Sequence, residues 1–185
     1  MSENKLIGSL VLRTIDIEPT NRSPCPTTNS TTDNDYGFCT ANSQLITWKN
    51  VNIRNCLGGL YQKYDSFNLK LTAVQFRHNN VASTDFQFMI YMAGLPFSTN
   101  YNTKLGSNNQ AALGVVSYMP FLTQGITTPL ISNLVSFYKP LQDTLDITVE
   151  LKNSSTNPLV NGYSEKTDRT IGHWSIICDI YGIDK

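Results

Sequence analysis

The chain has two histidines, His78 and His173, and any serine or cysteine nucleophile would have to be activated by one of them. His78 stands in RHNN, a solvated turn at a strand end; His173 opens the last strand beside Trp174; neither accompanies a G-x-S-x-G elbow. Carboxylate pairs of the glycosidase kind would come from Asp143 with Asp146, or Asp33 with Asp35. Asp146 and Glu150, however, fall on the wet face of a strand, and Asp33 and Asp35 in a polar loop suited to Asx turns. The four cysteines, Cys25, Cys39, Cys56 and Cys178, form no C-x-x-C pair and have no nearby histidine, so zinc-site spacing is missing. Cys25 and Cys39 flank a polar loop and would bridge in an oxidising compartment, although free thiols are the plainer reading. Gly58-Gly59 lacks the framing of a phosphate loop, and no G-K-[ST] occurs. Trp48, Tyr61, Tyr64, Tyr91 and Tyr101 are enough aromatics to stack on sugar rings, yet they read more simply as core or interface residues. The chemistry-bearing residues therefore point to no enzyme, no metal and no cofactor.

The elements that would position these residues are strands. Leu145, Ile147, Val149 and Leu151 alternate with Asp146, Thr148, Glu150 and Lys152, which gives one dry and one wet face. Phe86, Phe88, Ile90 and Met92 share one face of another strand, and Trp174, Ile176, Cys178 and Ile180 share the inner face of the last. Phe67, Leu69, Leu71 and Ala73 keep one phase while Val74 and Phe76 take the other, which predicts a bulge near Ala73. With runs at 6–17, 45–53, 113–121 and 130–138 the count reaches about eight strands, punctuated by Gly, Pro and Asn clusters. Eight strands, no long helical stripe and connections of very unequal length predict an all-β fold: a single eight-stranded jelly-roll sandwich with long loops and at most one or two short helices. The Cys, Trp, Cys spacing of an immunoglobulin domain is absent.

At 185 residues the chain, 1–185, fits one domain. Residues 19–43, rich in Pro, Thr, Asn and Ser, read as one long irregular loop. Residues 54–64 read as a short helix capped by Asn52, with Leu57, Leu60 and Tyr64 on one side. Fourteen basic and fourteen acidic residues cancel, which removes the electrostatic footprint for nucleic acid or anionic lipid and also the repulsion that keeps copies apart. No apolar run reaches the roughly 18 residues of a membrane span, and the N-terminal stretch develops no signal-peptide core. In such a chain the N-x-[ST] triplets at Asn21, Asn29 and Asn153 are chance matches.

The densest stretch, TWKNVNIRNCLGGLYQKYDSFNLKL, carries the one resemblance to a known family. Trp48, Asn50, Asn52, Arg54, Leu57, Gly58, Tyr61, Lys63, Tyr64, Asp65, Phe67, Asn68 and Leu69 resemble a segment of small capsid proteins of nucleocytoplasmic large DNA viruses. MAGLPFSTNYN, from Met92 to Asn102, and CDIYGID, from Cys178 to Asp184, agree in order and approximate separation. The resemblance covers about Leu45 to the C-terminus. It implies a structural penton subunit: a jelly-roll capsid protein assembling as a homopentamer with neighbouring major and minor capsid proteins. Its place would be the capsid vertex of the virion, after assembly in the host cell cytoplasm. It transfers no catalytic residue. Alternatives are another minor capsid protein or a carbohydrate-binding jelly-roll module at the virion surface.

On this reading Trp48, Leu57, Leu60 and Phe67 anchor the 47–71 connection to the core, and Gly58-Gly59 turns the backbone closely against a neighbour. Pro96 and Phe97 join them as structural anchors. Tyr61, Lys63, Tyr64 and Asp65 stay near the surface as subunit-interface candidates. The apolar seam between subunits is expected to be modest, since no long exposed hydrophobic patch is legible.

Overall fold

The computed structural model describes residues 4–16, 37–40, 43–77, 86–98, 110–118, 124–153 and 174–183. In chain order the strands are β1 (Asn4–Arg13), β2 (Gly37–Thr40), β3 (Ser43–Asn52), β4 (Ser66–Arg77), β5 (Phe86–Ala93), β6 (Gln110–Tyr118), β7 (Gln124–Thr127), β8 (Ile131–Ser132), β9 (Leu134–Tyr138), β10 (Thr144–Asn153) and β11 (Trp174–Ile183). One short helix, α1 (Ile53–Leu57), runs into a 3-10 turn at Gly58–Gln62, and a second 3-10 turn, Thr14–Asp16, ends β1.

All pairings are antiparallel. One sheet runs β1-β11-β4-β7, with β9 pairing the other half of the same β4 edge, and the second runs β2-β3-β10-β5-β6-β8. Treating β7 and β9 as one interrupted strand, the first and last long strands lie side by side and the chain repeatedly crosses between the sheets. That is jelly-roll winding, as the alternating pattern and unequal connections predict. The inner faces of both sheets form one apolar core, and Trp48 of β3 meets Trp174 of β11 edge-on across it at 5.5 Å.

Phase reading works where a strand is central. Ile147, Val149 and Leu151 of β10 are buried, as are Phe88, Ile90 and Met92 of β5, and Trp174, Ile176, Cys178 and Ile180 of β11. The bulge lies where the phase breaks: Cys178 pairs Leu71 and Ile177 pairs Ala73, leaving Thr72 as the extra residue. The Thr72 hydroxyl donates to the Ile177 carbonyl at 3.0 Å, and the Ser132 hydroxyl donates to the Leu71 carbonyl at 2.6 Å. Side chains thus serve carbonyls at the irregular point of the ladder.

Three expectations are corrected. Gly37–Thr40, inside the segment read as irregular, forms β2 through its ladder with β3; residues 19–36 and 41–42 lie outside the described residues. The run 130–138 is two strands, since β8 pairs β6 in one sheet and β9 pairs β4 in the other. Glu150 is on the outward face yet only 5% exposed, in a central strand paired on both sides, by β3 and by β5.

A second bulge places Lys49 and Asn50 opposite Asp146, with Asn50 at φ 54. The Asp146 carboxylate accepts from the Asn50 backbone N–H at 3.0 Å and from Lys49 Nζ at 3.1 Å. These bonds, the backbone one foremost, hold its carboxyl below the ordinary value of 3.8. Because the folded value is depressed, the stabilisation is present above the unfolded value and is lost as pH falls through the folded one. Wild-type stability is therefore expected to decline below pH 3.8 more steeply than that of Asp146→Asn, as read by denaturant titration across acid pH.

Asn52 is the α1 cap, its side chain accepting from the Asn55 N–H at 2.9 Å. Asn52→Ala is expected to cost about 1 kcal/mol, measured by urea unfolding.

Candidate functional site

The described parts of the three stretches that carry the resemblance, 47–71, 92–98 and 178–183, come together at one end of the sandwich. Ile53, Leu57, Tyr61 and Tyr64 are buried at helical spacing, so the α1 segment turns one apolar stripe inward before β4 begins. Tyr61 stacks on Phe67 at 6.2 Å, and Tyr64 meets Phe67 edge-on at 6.4 Å. Phe67 stacks on Phe137 of β9 at 5.2 Å, and Phe137 meets Phe97 edge-on at 6.3 Å. The Tyr64 ring lies flush on Gly182 of β11, where a Cβ would come within 2.6 Å of it. The backbone ties the same pieces: Tyr138 N–H donates to Pro96 O at 3.0 Å, Ser98 N–H to Ser136 O at 2.9 Å, and Lys139 N–H to Asp65 O at 2.8 Å.

This geometry corrects the placement of two interface candidates. Tyr61 and Tyr64 are 3% and 2% exposed and belong to the core; Lys63 and Asp65 are the surface members of the group. Lys63 Nζ sits 5.3 Å from the Tyr64 ring centroid and Lys139 Nζ 4.8 Å from that of Tyr61, capping the aromatic layer with cations. Leu60 is exposed, so the apolar stripe runs through Tyr61 instead. Trp48, Leu57, Phe67 and Phe97 are buried anchors and Pro96 is half-buried. A Cβ at Gly58 or Gly59 would meet nothing within 4 Å, so neither is a glycine for lack of room; Gly58 is needed for φ 56 at the helix end.

The two tyrosines differ in a testable way. Tyr61 donates its hydroxyl to the Pro140 carbonyl at 2.8 Å, and burial, then Asp143, raises its pKa, so it remains a donor. No described group bonds the buried Tyr64 hydroxyl. Tyr61→Phe is expected to lose about 1 kcal/mol in a denaturation assay, whereas Tyr64→Phe is expected to lose nothing or to gain stability.

The other residues with chemical potential are occupied structurally or lie elsewhere. Asp143 pairs Arg54 at 3.2 Å and Asp146 pairs Lys49, each at the surface. Cys178 is buried and its thiol is driven far up by desolvation, while half-buried Cys56 donates to the Asn52 carbonyl at 3.4 Å. Trp48 donates its indole N–H to Arg13 O at 3.0 Å, and the half-buried Tyr91 donates to Met89 Sδ at 3.5 Å. Among the described residues no group of three His, Cys, Asp or Glu could hold a metal ion, and no helix is long and apolar enough to cross a membrane. His78, His173, Asp33, Asp35, Cys25, Tyr101 and the side chain of Cys39 lie outside the described residues.

What the sequence reading missed is an apolar edge. Ile126, Leu130, Ile131, Leu134, Tyr138 and Leu141 are all exposed, at 51% or more, which overturns the expectation of no sizeable exposed patch. The signal was present: residues 124–138 contain no charged side chain, although edge strands ordinarily carry charge against unwanted pairing.

No protein-family model matches the chain, and no curated protein matches it. Two solved chains of Kashmir bee virus at acidic pH are similar in a loose sense. The one from the native virion is 13% identical, covering 97% of this chain and 70% of that one, with a TM-score of 0.25. The one from the empty particle is 12% identical, covering 98% and 90%, with a TM-score of 0.24. Likenesses this weak carry no argument, and the jelly-roll assignment rests on the strand order alone.

Proposed function

We propose that the chain is a structural capsid subunit of an icosahedral large DNA virus, placed at the vertex as a penton and assembled there as a cyclic homopentamer among other capsid proteins. One observation carries this reading. The three sequence segments that resemble the capsid family are distant in the chain, yet their described parts come together: Tyr64 lies on Gly182, and Phe67 and Phe97 both pack on Phe137 of β9, which joins them. Residues kept together by packing rather than by chemistry are what a building block requires. The jelly-roll winding and a surface without net charge support the same reading.

Quantitative mass spectrometry of purified virions tests it. The chain is expected as a stoichiometric component, far below the major shell protein in copy number; its absence from extensively washed particles would refute the proposal. Of the five aromatics that the sugar-binding alternative would use, Trp48, Tyr61 and Tyr64 are buried and cannot offer a ring face to a glycan, while Tyr91 is half-buried and Tyr101 lies outside the described residues.

A further inference from the structure

The exposed apolar side chains of the first sheet are gathered at its two opposite edges. On the β7/β9 edge, Ile126, Leu134 and Tyr138 are 68%, 51% and 61% exposed and stand opposite Gln75, Lys70 and Ser66 of β4. On the far edge, Leu6 and Val11 of β1 are 53% and 50% exposed, and Leu6 stands opposite Tyr181 of β11. Between the two lies the polar outer face of β4, where Lys70 and Gln75 are exposed.

We infer that these edges are the two halves of one contact: the β7/β9 edge of one copy docks on the β1 edge of a second copy, head to tail. The inference rests on the reading of the chain as an assembling capsid subunit, and it names the surfaces. Symmetry and exposed area select a second copy as the occupant. A two-fold contact uses one patch twice and leaves the other in water, whereas a repeated head-to-tail contact covers both on every copy and closes into a ring. Residues 124–138 are uncharged, and Ile126, Leu134 and Tyr138 of this edge, together with Leu130 and Ile131 beside β6 of the second sheet, expose on the order of 500 Å² of side chain, taking each at its exposed fraction of a roughly 200 Å² side chain. That is the larger part of the roughly 800 Å² each partner contributes to a stable complex.

Sedimentation velocity on the full chain, up to millimolar concentration, tests the pairing with Leu134→Glu and Val11→Glu. Both side chains point outward, so circular dichroism should be unchanged; Leu134→Ser and Val11→Ser substitute where a glutamate variant unfolds. The wild type is expected to associate with rising concentration, and each variant alone to associate at least about tenfold more weakly. Mixing the two is the decisive arm. The Leu134 variant keeps an intact β1 edge and the Val11 variant an intact β7/β9 edge, so the mixture is expected to form a dimer and stop there. A wild type that stays monomeric at millimolar concentration, a Val11 variant that associates normally, or a mixture that stays monomeric overturns the inference. So does an edge that binds lipid vesicles or another capsid protein while self-association is absent. None of these results removes the chain from virions, so failure here is distinguishable from failure of the capsid reading.

Discussion

Phe67→Ala is expected to lower stability by about 3–5 kcal/mol, a large part of the total for a domain of this size. Phe67 is fully buried and is in contact with the rings of Tyr61, Tyr64 and Phe137 together. Its removal leaves a cavity between the Tyr61 and Tyr64 rings on one side and Phe137 of β9 on the other, and because β4 and β9 are bonded in one ladder they are slow to collapse into it. Urea unfolding followed by tryptophan fluorescence reads the loss directly, because Trp48 and Trp174 report on the opposed sheets. A shift below about 1 kcal/mol would mean that the aromatic layer does not hold the end of the sandwich together.

Gly94→Ala is expected to be nearly as costly, about 3 kcal/mol, although it adds a single methyl group. Gly94 has φ 102, a conformation side chains rarely adopt, and its Cβ would run into the Asp146 carbonyl oxygen. Both atoms in conflict belong to backbone: the residue follows β5, and the carbonyl is in β10, the strand bonded to β5. Neither can move without opening the ladder. Gly59→Ala is the matched control, because Gly59 has open space around it and ordinary φ, and its expected effect is within about 0.5 kcal/mol. Equal effects at the two positions in thermal or chemical denaturation would contradict this account of the glycines.

The sequence reveals most where a strand is central and packed on one face. β10 and β11 announce themselves by alternation, and the Thr72 bulge shows as a break of phase between Leu71 and Val74. The winding itself follows from strand number and unequal connections. β2 could not be read, because Gly37–Thr40 has no alternation of its own and is a strand only by bonding to β3. The division of 130–138 was hidden for a related reason: whether a residue pairs β6 or β4 depends on where those strands end, not on its own type. Tyr61 and Tyr64 mislead because tyrosine carries a polar tip on an apolar ring. The spacing Ile53, Leu57, Tyr61, Tyr64 held the answer, but Leu60, equally apolar, pointed to a different stripe. The apolar edge was readable only as a missing charge, and missing charge acquires meaning once the segment is known to be an edge.

Electron cryomicroscopy of the purified virion tests the central claim most directly, by fitting the two-sheet sandwich into the capsid. The account predicts that it fits five-fold vertex density, with the segment 124–138 of each copy against β1 of the next. Vertex density that the strand order cannot fit, or this chain located beneath the shell, would contradict it.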